Sequence, residues 1–292
     1  MTSYPAARTG AFQVHVSGLG FPEGPVVLPD GAVAFVDLVH QKIRTYDGRA
    51  TRVLATVPGS PNGMRLGPDG ALYVANNGGL GPGSLEALWH ATPEITGRIQ
   101  RISLDGTVTD HAVELPGPQP WRPNDLVFAP SGELVFTDPT NWEVLPDEGA
   151  YLTGRVDIVR PDGRVDALVE LPGFPNGLAF GGDGALYVAQ SMYHRILRFA
   201  WNPEGLGTPD VWCQLPDSVS PDGIAWLGER LFVAGSVGDE VDMVGVDGRV
   251  LSRVSTGPGS DPTNLVIQRD RLWVTLGLPG QLISMRLDAF EP

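Results

Sequence analysis

A chain of 292 residues with a formal net charge of −14 and a sequence pI near 4.6 offers no basic surface to neutralise phosphates. Nucleic acid and anionic membranes are therefore excluded as partners, which leaves a small-molecule substrate as the expectation. The single lysine, Lys42, also removes a phosphate-cradling Walker loop and makes Schiff-base chemistry improbable.

Gly 38 and Pro 27 are high counts beside an ordinary 42% hydrophobic content, so the breakers must punctuate a core-forming chain into short strands and many turns. Cys213 is the only cysteine and can form no internal disulfide, and Met1 to Gly10 has no apolar run resembling a signal peptide. No apolar stretch approaches the ~18 residues of a membrane span. A cytoplasmic enzyme is the expectation; the oligomeric state is open.

In chain order, the first strand signal is Phe12-Gln13-Val14-His15-Val16, followed by Pro22-Glu23-Gly24 and a second run, Val33-Ala34-Phe35-Val36. The unit recurs most clearly where Pro61-Asn62-Gly63-Met64-Arg65-Leu66 leads through Asp69-Gly70 to Ala71-Leu72-Tyr73-Val74-Ala75. Pro175-Asn176-Gly177-Leu178-Ala179-Phe180 leads in the same register through Asp183-Gly184 to Ala185-Leu186-Tyr187-Val188-Ala189. Weaker copies begin at Pro123-Asn124-Asp125, Pro221-Asp222-Gly223 and Thr263-Asn264-Leu265. Asp-Gly between alternating apolar runs is a strong hairpin signal, because Gly supplies the positive φ of a tight turn.

Further pairs around Lys42–Tyr46, Arg98–Ile102, Arg155–Val159 and Val241–Val246 complete four-stranded antiparallel meanders. The repeat lengths fall around the roughly 40–50 residues of a propeller blade. The last unit has only three strands, ending at Gln281–Leu287, and Phe12–Val16 can supply the fourth and close the ring. The fold expected is all-β, a six-bladed β-propeller of four-stranded antiparallel blades, one domain over residues 1–292. The longest interval carries an insertion from Asn76 through Trp89 and His90 to Gly97, which we place over the channel mouth.

The residue opening each inner strand of a propeller sits at one mouth of the central channel. Those residues are Glu23, Asn62, Asn124, Asn176, Asp222 and Asn264, all oxygen-bearing. A single Pro-Asn-Gly is more simply a turn, but Glu23 is a poor turn former, and six such residues at one blade position call for another explanation. Two carboxylates facing each other in a narrow channel repel unless a cation lies between them. Glu23 and Asp222 match a 2+ charge while Asn124 and Asn176 add neutral oxygens. One divalent ion is the cofactor expected; calcium fits best by ligand type, with magnesium, manganese, zinc or ferrous iron as alternatives.

With those residues in place, the chain resembles the gluconolactonase family, also called the senescence-marker-protein and luciferin-regenerating-enzyme family. The resemblance is carried by Phe21-Pro22-Glu23-Gly24-Pro25, Arg122-Pro123-Asn124-Asp125-Leu126, Phe174-Pro175-Asn176-Gly177-Leu178 and Ser220-Pro221-Asp222-Gly223-Ile224. It implies metal ligation at Glu23, Asn176 and Asp222, with Asn124 a fourth ligand or a substrate contact, and a substrate contact at Arg122. Asn77-Gly78-Gly79, Trp89 and Gly97-Arg98-Ile99 look like the insertion of microbial lactonases of this family, which makes Trp89 a candidate substrate contact beside its plainer reading as a packed loop residue. One departure is the sixth blade, Asp261-Pro262-Thr263-Asn264, which lacks the histidine of the related diisopropyl-fluorophosphatase type.

The activity expected is metal-dependent lactone hydrolysis by an activated water, with Asp222 as base and Arg122, Asn62, Asn124 and Asn264 around the substrate. There is no Gly-x-Ser-x-Gly elbow and no histidine or cysteine at an anchor, in keeping with direct water attack. Two alternatives stay open: a metal propeller recruited to a different biosynthetic reaction, and a metal-free strictosidine-synthase-like or binding propeller.

Overall fold

The computed structural model describes residues 4–78, 95–117, 121–139 and 153–291. Six antiparallel sheets follow one another along the chain, as the repeats predict. Blade 1 runs Pro22–Val27, Val33–Asp37, Lys42–Tyr46 and Thr51–Thr56. Blade 2 runs Pro61–Leu66, Leu72–Asn76, Arg98–Ile102 and Val108–Ala112, and blade 3 runs Leu126–Phe128, Leu134–Asp138, Arg155–Val159 and Val165–Glu170. Blade 4 holds Pro175–Phe180, Leu186–Gln190, Arg195–Phe199 and Asp210–Gln214, and blade 5 holds Pro221–Leu227, Arg230–Gly235, Glu240–Gly245 and Val250–Ser255. Blade 6 has Pro262–Gln268, Arg271–Leu276 and Gln281–Arg286, and Phe12–Val16 completes it antiparallel, with Phe12 opposite Met285. No described helix is long and apolar enough to cross a membrane.

The hairpins turn where Asp-Gly stands. Gly70 adopts φ 77°, and the Asp69 carboxylate accepts the Ala71 amide at 3.2 Å, so one residue supplies the left-handed backbone and its neighbour ties the turn. The alternating apolar residues of each strand then face the neighbouring blades. Val36 and Ile43 of blade 1 pack with Met64, Leu72 and Val74 of blade 2. At the closure, Phe35 and Tyr46 of blade 1 pack with Trp273 and Leu282 of blade 6, so the first and last blades share a core.

One strand was absent from the sequence reading. Arg8–Thr9 pairs in parallel with Val254 and Ser255 and gives blade 5 a fifth strand. It is held by its end group as much as by its ladder: the Arg8 guanidinium donates to Ser252 Oγ at 2.7 Å and to Glu291 O at 2.8 Å. A two-residue strand shows no alternation, which is why the sequence did not announce it.

The inner strands begin irregularly, and this shapes the site. In blades 1, 2, 4 and 5 the ladder shifts register across the Pro-x-Gly step, between Glu23 and Val26, Pro61 and Met64, Pro175 and Leu178, and Pro221 and Ile224. Such bulges re-aim a side chain, here the residue after each proline. The glycine that follows is required by close approach: a Cβ on Gly177 would lie 2.3 Å from Asp222 O, and one on Gly223 would lie 2.3 Å from Asn264 Cγ. Each anchor step is therefore wedged against the next blade's anchor, which draws the inner strands tightly round the axis.

Candidate functional site

Five of the six expected anchors converge. Glu23, Asn62, Asn124, Asn176 and Asp222 all line one cavity of about 220 Å³ at the channel mouth, together with Asp261, Ser191, Ser220 and Ser236. The walls are apolar, formed by Phe21, Leu38, Phe174, Met192 and Val237. Among the described residues none lining the cavity is basic.

The sixth position needs a correction. Pro262 pairs with Leu276 as Pro22 pairs with Asp37 and Pro61 with Asn76, so the residue after the proline in blade 6 is Thr263. Thr263 Oγ1 donates to Pro22 O at 2.7 Å and braces blade 6 on blade 1. Asn264 takes the place that glycine holds in other blades, one residue deeper than the anchors and 1% exposed. Its Nδ2 lies 3.4 Å from Asp125 Oδ2, and it also hydrogen-bonds Glu23. Asn264 thus sits beneath the cavity, outside its lining.

Blade 3 differs in a related way. Its inner strand begins only at Leu126, so Arg122 and Asn124 lie ahead of it, outside the regular ladder. Arg122 is 4% exposed, and its Nη1 donates to Trp121 O at 2.7 Å and Asn77 O at 3.0 Å. That geometry braces blade 3 on blade 2. Asn77 continues the link, because its Nδ2 donates to Pro123 O while its Oδ1 accepts Asn62 Nδ2 at 3.2 Å. Trp89 and His90 lie outside the described residues. His15, His40 and His194 bond Ser284, Asp37 and Val219 O respectively and do not line the cavity, nor does His111.

The electrostatics centre on Glu23 and Asp222. Burial, then the charge of Asp125, pushes the Glu23 carboxyl from 4.5 up to about 8, although the Gly24 amide donates to its Oε2 at 3.1 Å. Burial, then the charge of Glu23, holds Asp222 well above the carboxylate range, partly offset by a hydrogen bond from Asn176. Asn176 also donates to Ser191 Oγ at 3.3 Å, which leaves its Oδ1 as the atom for an electron-poor partner. Arg65 is already engaged with Asp125 Oδ2 at 3.1 Å.

A divalent cation fits this donor set. Two carboxylates sharing one cavity raise each other's cost of ionisation, and a 2+ charge between them removes it. Among the described residues no three His, Cys, Asp or Glu side chains form a metal-binding group, so such an ion would rest on Glu23 and Asp222 with the amide oxygens of Asn124 and Asn176.

Sequence reasoning did not single out Asp125, or Phe21, Phe174 and Asp261, which precede the prolines of blades 1, 4 and 6. Asp125 was legible as the carboxylate standing where Asn62 and Asn176 are followed by glycine. Phe21, Phe174 and Asp261 reach the cavity because their backbones are left-handed, with φ of 63°, 59° and 48°. Residues preceding proline ordinarily favour extended backbone, so no sequence rule would have turned these side chains inward.

Known proteins share the architecture. A gluconolactonase of Zymomonas mobilis is 35% identical over 139 residues, covering 46% of this chain and 34% of that protein, so the match spans about a third of its length. The structure of a gluconolactonase from Xanthomonas campestris superposes with a TM-score of 0.75 at 22% identity, covering 98% of each chain. That of regucalcin, a calcium-binding protein from Agrobacterium tumefaciens, gives 0.75 at 20% identity over 96% of this chain and 95% of that one. At such identities the superpositions show the fold. Residues 21–277 match the SMP-30/Gluconolactonase/LRE-like region, a span holding all six inner strands and every cavity-lining residue, and the chain belongs to that family.

Proposed function

We propose that this protein opens a small lactone or related cyclic ester by hydrolysis, with one divalent cation, best matched by calcium, held at Glu23, Asn124, Asn176 and Asp222. The observation that carries the reading is the pair of carboxylates, buried Glu23 and half-buried Asp222, facing one cavity with amide oxygens around them and no basic side chain among the described lining residues. The family membership and the names of the relatives support it.

A cation bound there supplies Lewis acidity, polarising a carbonyl oxygen and making water acidic enough to ionise near neutral pH. The chain's own residues do the rest. The Asp222 carboxylate accepts the proton of the water that attacks the carbonyl carbon, and returns it to the ring oxygen as the C–O bond breaks, which yields the open hydroxy acid. Asn62 and Asn124, set at the cavity wall, orient substrate hydroxyls or the developing oxyanion, where one fixed donor is worth on the order of 3 kcal/mol. Asn264 acts through others, holding the Glu23 and Asp125 carboxylates from below. Arg122, whose Nη1 donates to the Trp121 and Asn77 carbonyls, positions the segment that carries Asn124.

The direct test is a pH-stat assay of purified protein on aldonolactones, butyrolactones and dihydrocoumarin, each with several divalent ions. Acid release that depends on the protein and on an added ion supports the proposal. No turnover of any lactone with any ion would count against it, and would favour the binding-propeller alternative.

A further inference from the structure

The cavity contains a carboxylate that the proposed reaction leaves without a task. Asp261 lines the wall near Glu23 and Asp222. Its backbone is fixed in the left-handed region at φ 48°, a conformation that costs a non-glycine residue on the order of 1 kcal/mol. The loop carrying it is clamped from outside. Asp239 accepts the Asp261 amide at 2.9 Å and Ser260 Oγ at 3.4 Å on Oδ1, and the Gly259 amide at 2.7 Å on Oδ2. Gly277 donates to Asp261 O at 2.8 Å.

Every one of those bonds involves backbone or a neighbour; none reaches the Asp261 carboxylate, which has no hydrogen-bond or ion-pair partner among the described residues. Burial, then the charge of Asp239, pushes it up to about 6. The fold itself does not ask for a carboxylate here. At the same position, before the anchor prolines of blades 1 and 4, the chain places Phe21 and Phe174, in the same left-handed backbone and facing the same cavity. Among the described residues, Asp261 forms no three-member metal-binding group with Glu23 and Asp222.

We infer that Asp261 is a specificity-determining residue, whose carboxylate accepts a hydrogen bond from a hydroxyl of the substrate ring and whose charge disfavours lactones bearing a carboxylate. This rests on the lactone-hydrolase reading of the same cavity. An ionised carboxylate is an acceptor only, so it selects for donors, and O–H to carboxylate bonds are among the stronger neutral-to-charged kind. The Phe21 ring lies beside it, since a Cβ on Gly277 would meet the ring at 2.6 Å and Asp261 Oδ2 at 3.0 Å. An apolar plate next to an acceptor suits a hydroxylated ring, which has an apolar face and a polar edge. A site built to bind a hydroxyl rejects the analogue without one more strongly than an apolar pocket discriminates by size.

The test compares wild type with Asp261→Asn, because asparagine tolerates the left-handed backbone and keeps the shape. Binding of glucono-1,5-lactam, a non-hydrolysable analogue, is measured by calorimetry, and turnover is measured on glucono-1,5-lactone, unsubstituted δ-valerolactone and the carboxylate-bearing glucaro-1,4-lactone. We expect lactam binding to weaken about tenfold or more. KM for gluconolactone should rise by a similar factor with kcat little changed, valerolactone constants should hold, and glucarolactone should become a better substrate. Lactam binding unchanged in the variant, no lactam binding by the wild type, or an equal fall in kcat on gluconolactone and valerolactone would each overturn the inference. Lactam binding that depends on Asp261 in a protein that opens no lactone would sink the hydrolase reading and leave the hydroxyl-recognition role standing.

Discussion

Asn264 Nδ2 lies 3.4 Å from Asp125 Oδ2, joining blade 6 to blade 3. Because Asn264 also hydrogen-bonds Glu23, one amide ties together two buried carboxylates from different blades. Replacing it with leucine leaves both with one donor fewer in a setting where an unmet hydrogen bond costs about 1–3 kcal/mol. We expect Asn264→Leu to lower the melting temperature by several degrees and to weaken divalent-cation binding, as read by calorimetry. Unchanged melting and unchanged affinity together would show that the amide is incidental.

The glycines after the anchors give a second prediction. A methyl group at position 223 would meet Asn264 Oδ1 and Cγ at 2.3 Å, and one at position 177 would meet the backbone of Asp222 at 2.3 Å. Gly177→Ala and Gly223→Ala should each destabilise by roughly 1–3 kcal/mol, the cost of forcing a packed site apart. Gly182→Ala is the control, since nothing lies within 4 Å of its added carbon. Denaturant melts of the three variants check the contrast, and equal effects at 177, 182 and 223 would contradict the wedge described for the inner strands.

The acid pair sets a pH dependence with a definite sign. Glu23 titrates at about 8 in the folded chain against 4.5 ordinarily, and Asp222 is shifted the same way, so the native state binds protons more tightly than the unfolded state. Their contribution to stability is complete below pH 4.5 and is lost as pH rises through about 8. Protein stripped of cations should therefore melt several degrees lower at pH 8.5 than at pH 5, and millimolar calcium should recover most of the loss at the higher pH, because a ligand that binds only the folded state stabilises it. A flat profile in chelator would mean the carboxylates do not share a dry site.

Much of the architecture was legible in the residues. The Asp69-Gly70 and Asp183-Gly184 turns, between alternating apolar runs, fixed the hairpins, and the unfinished last unit pointed to Phe12–Val16 as its missing strand. The cavity lining was legible where its rule was simple: a residue following a proline at or just before an inner strand, five times over. The sixth repeat was aligned one residue late, so Thr263 holds the anchor position and Asn264 lies beneath the cavity, and Arg122 precedes Leu126, where no regular strand sets which way a side chain faces. Phe21, Phe174 and Asp261 were beyond reach for a physical reason: a left-handed backbone turns them inward, and local sequence argues against it.

Charge and orientation should separate in mutants of the cavity. Asp222 is proposed to hold the cation and to move the proton, whereas Asn62 sits at the wall with its amide donated to Asn77. Asp222→Asn should lower kcat by 100-fold or more with cation at saturation, in line with general-base contributions of about 10²–10⁴, while Asn62→Ala should act mainly on KM. A parallel cation titration separates lost binding from lost chemistry. Equal losses in the two variants at saturating cation would show that the anchors are not ranked in this way.

Glu23 and Asp222 are proposed to form one divalent-cation site on which lactone opening depends. It is tested most directly by following hydrolysis of a lactone while calcium, then magnesium, manganese, zinc or ferrous iron, is titrated into chelator-treated protein, alongside elemental analysis of the protein as purified. We expect about one divalent ion per chain, loss of activity on chelation, saturable recovery with at least one ion, and no recovery in Glu23→Gln. Full activity in metal-free protein, or recovery in Glu23→Gln at the same ion concentration as in the wild type, would contradict it.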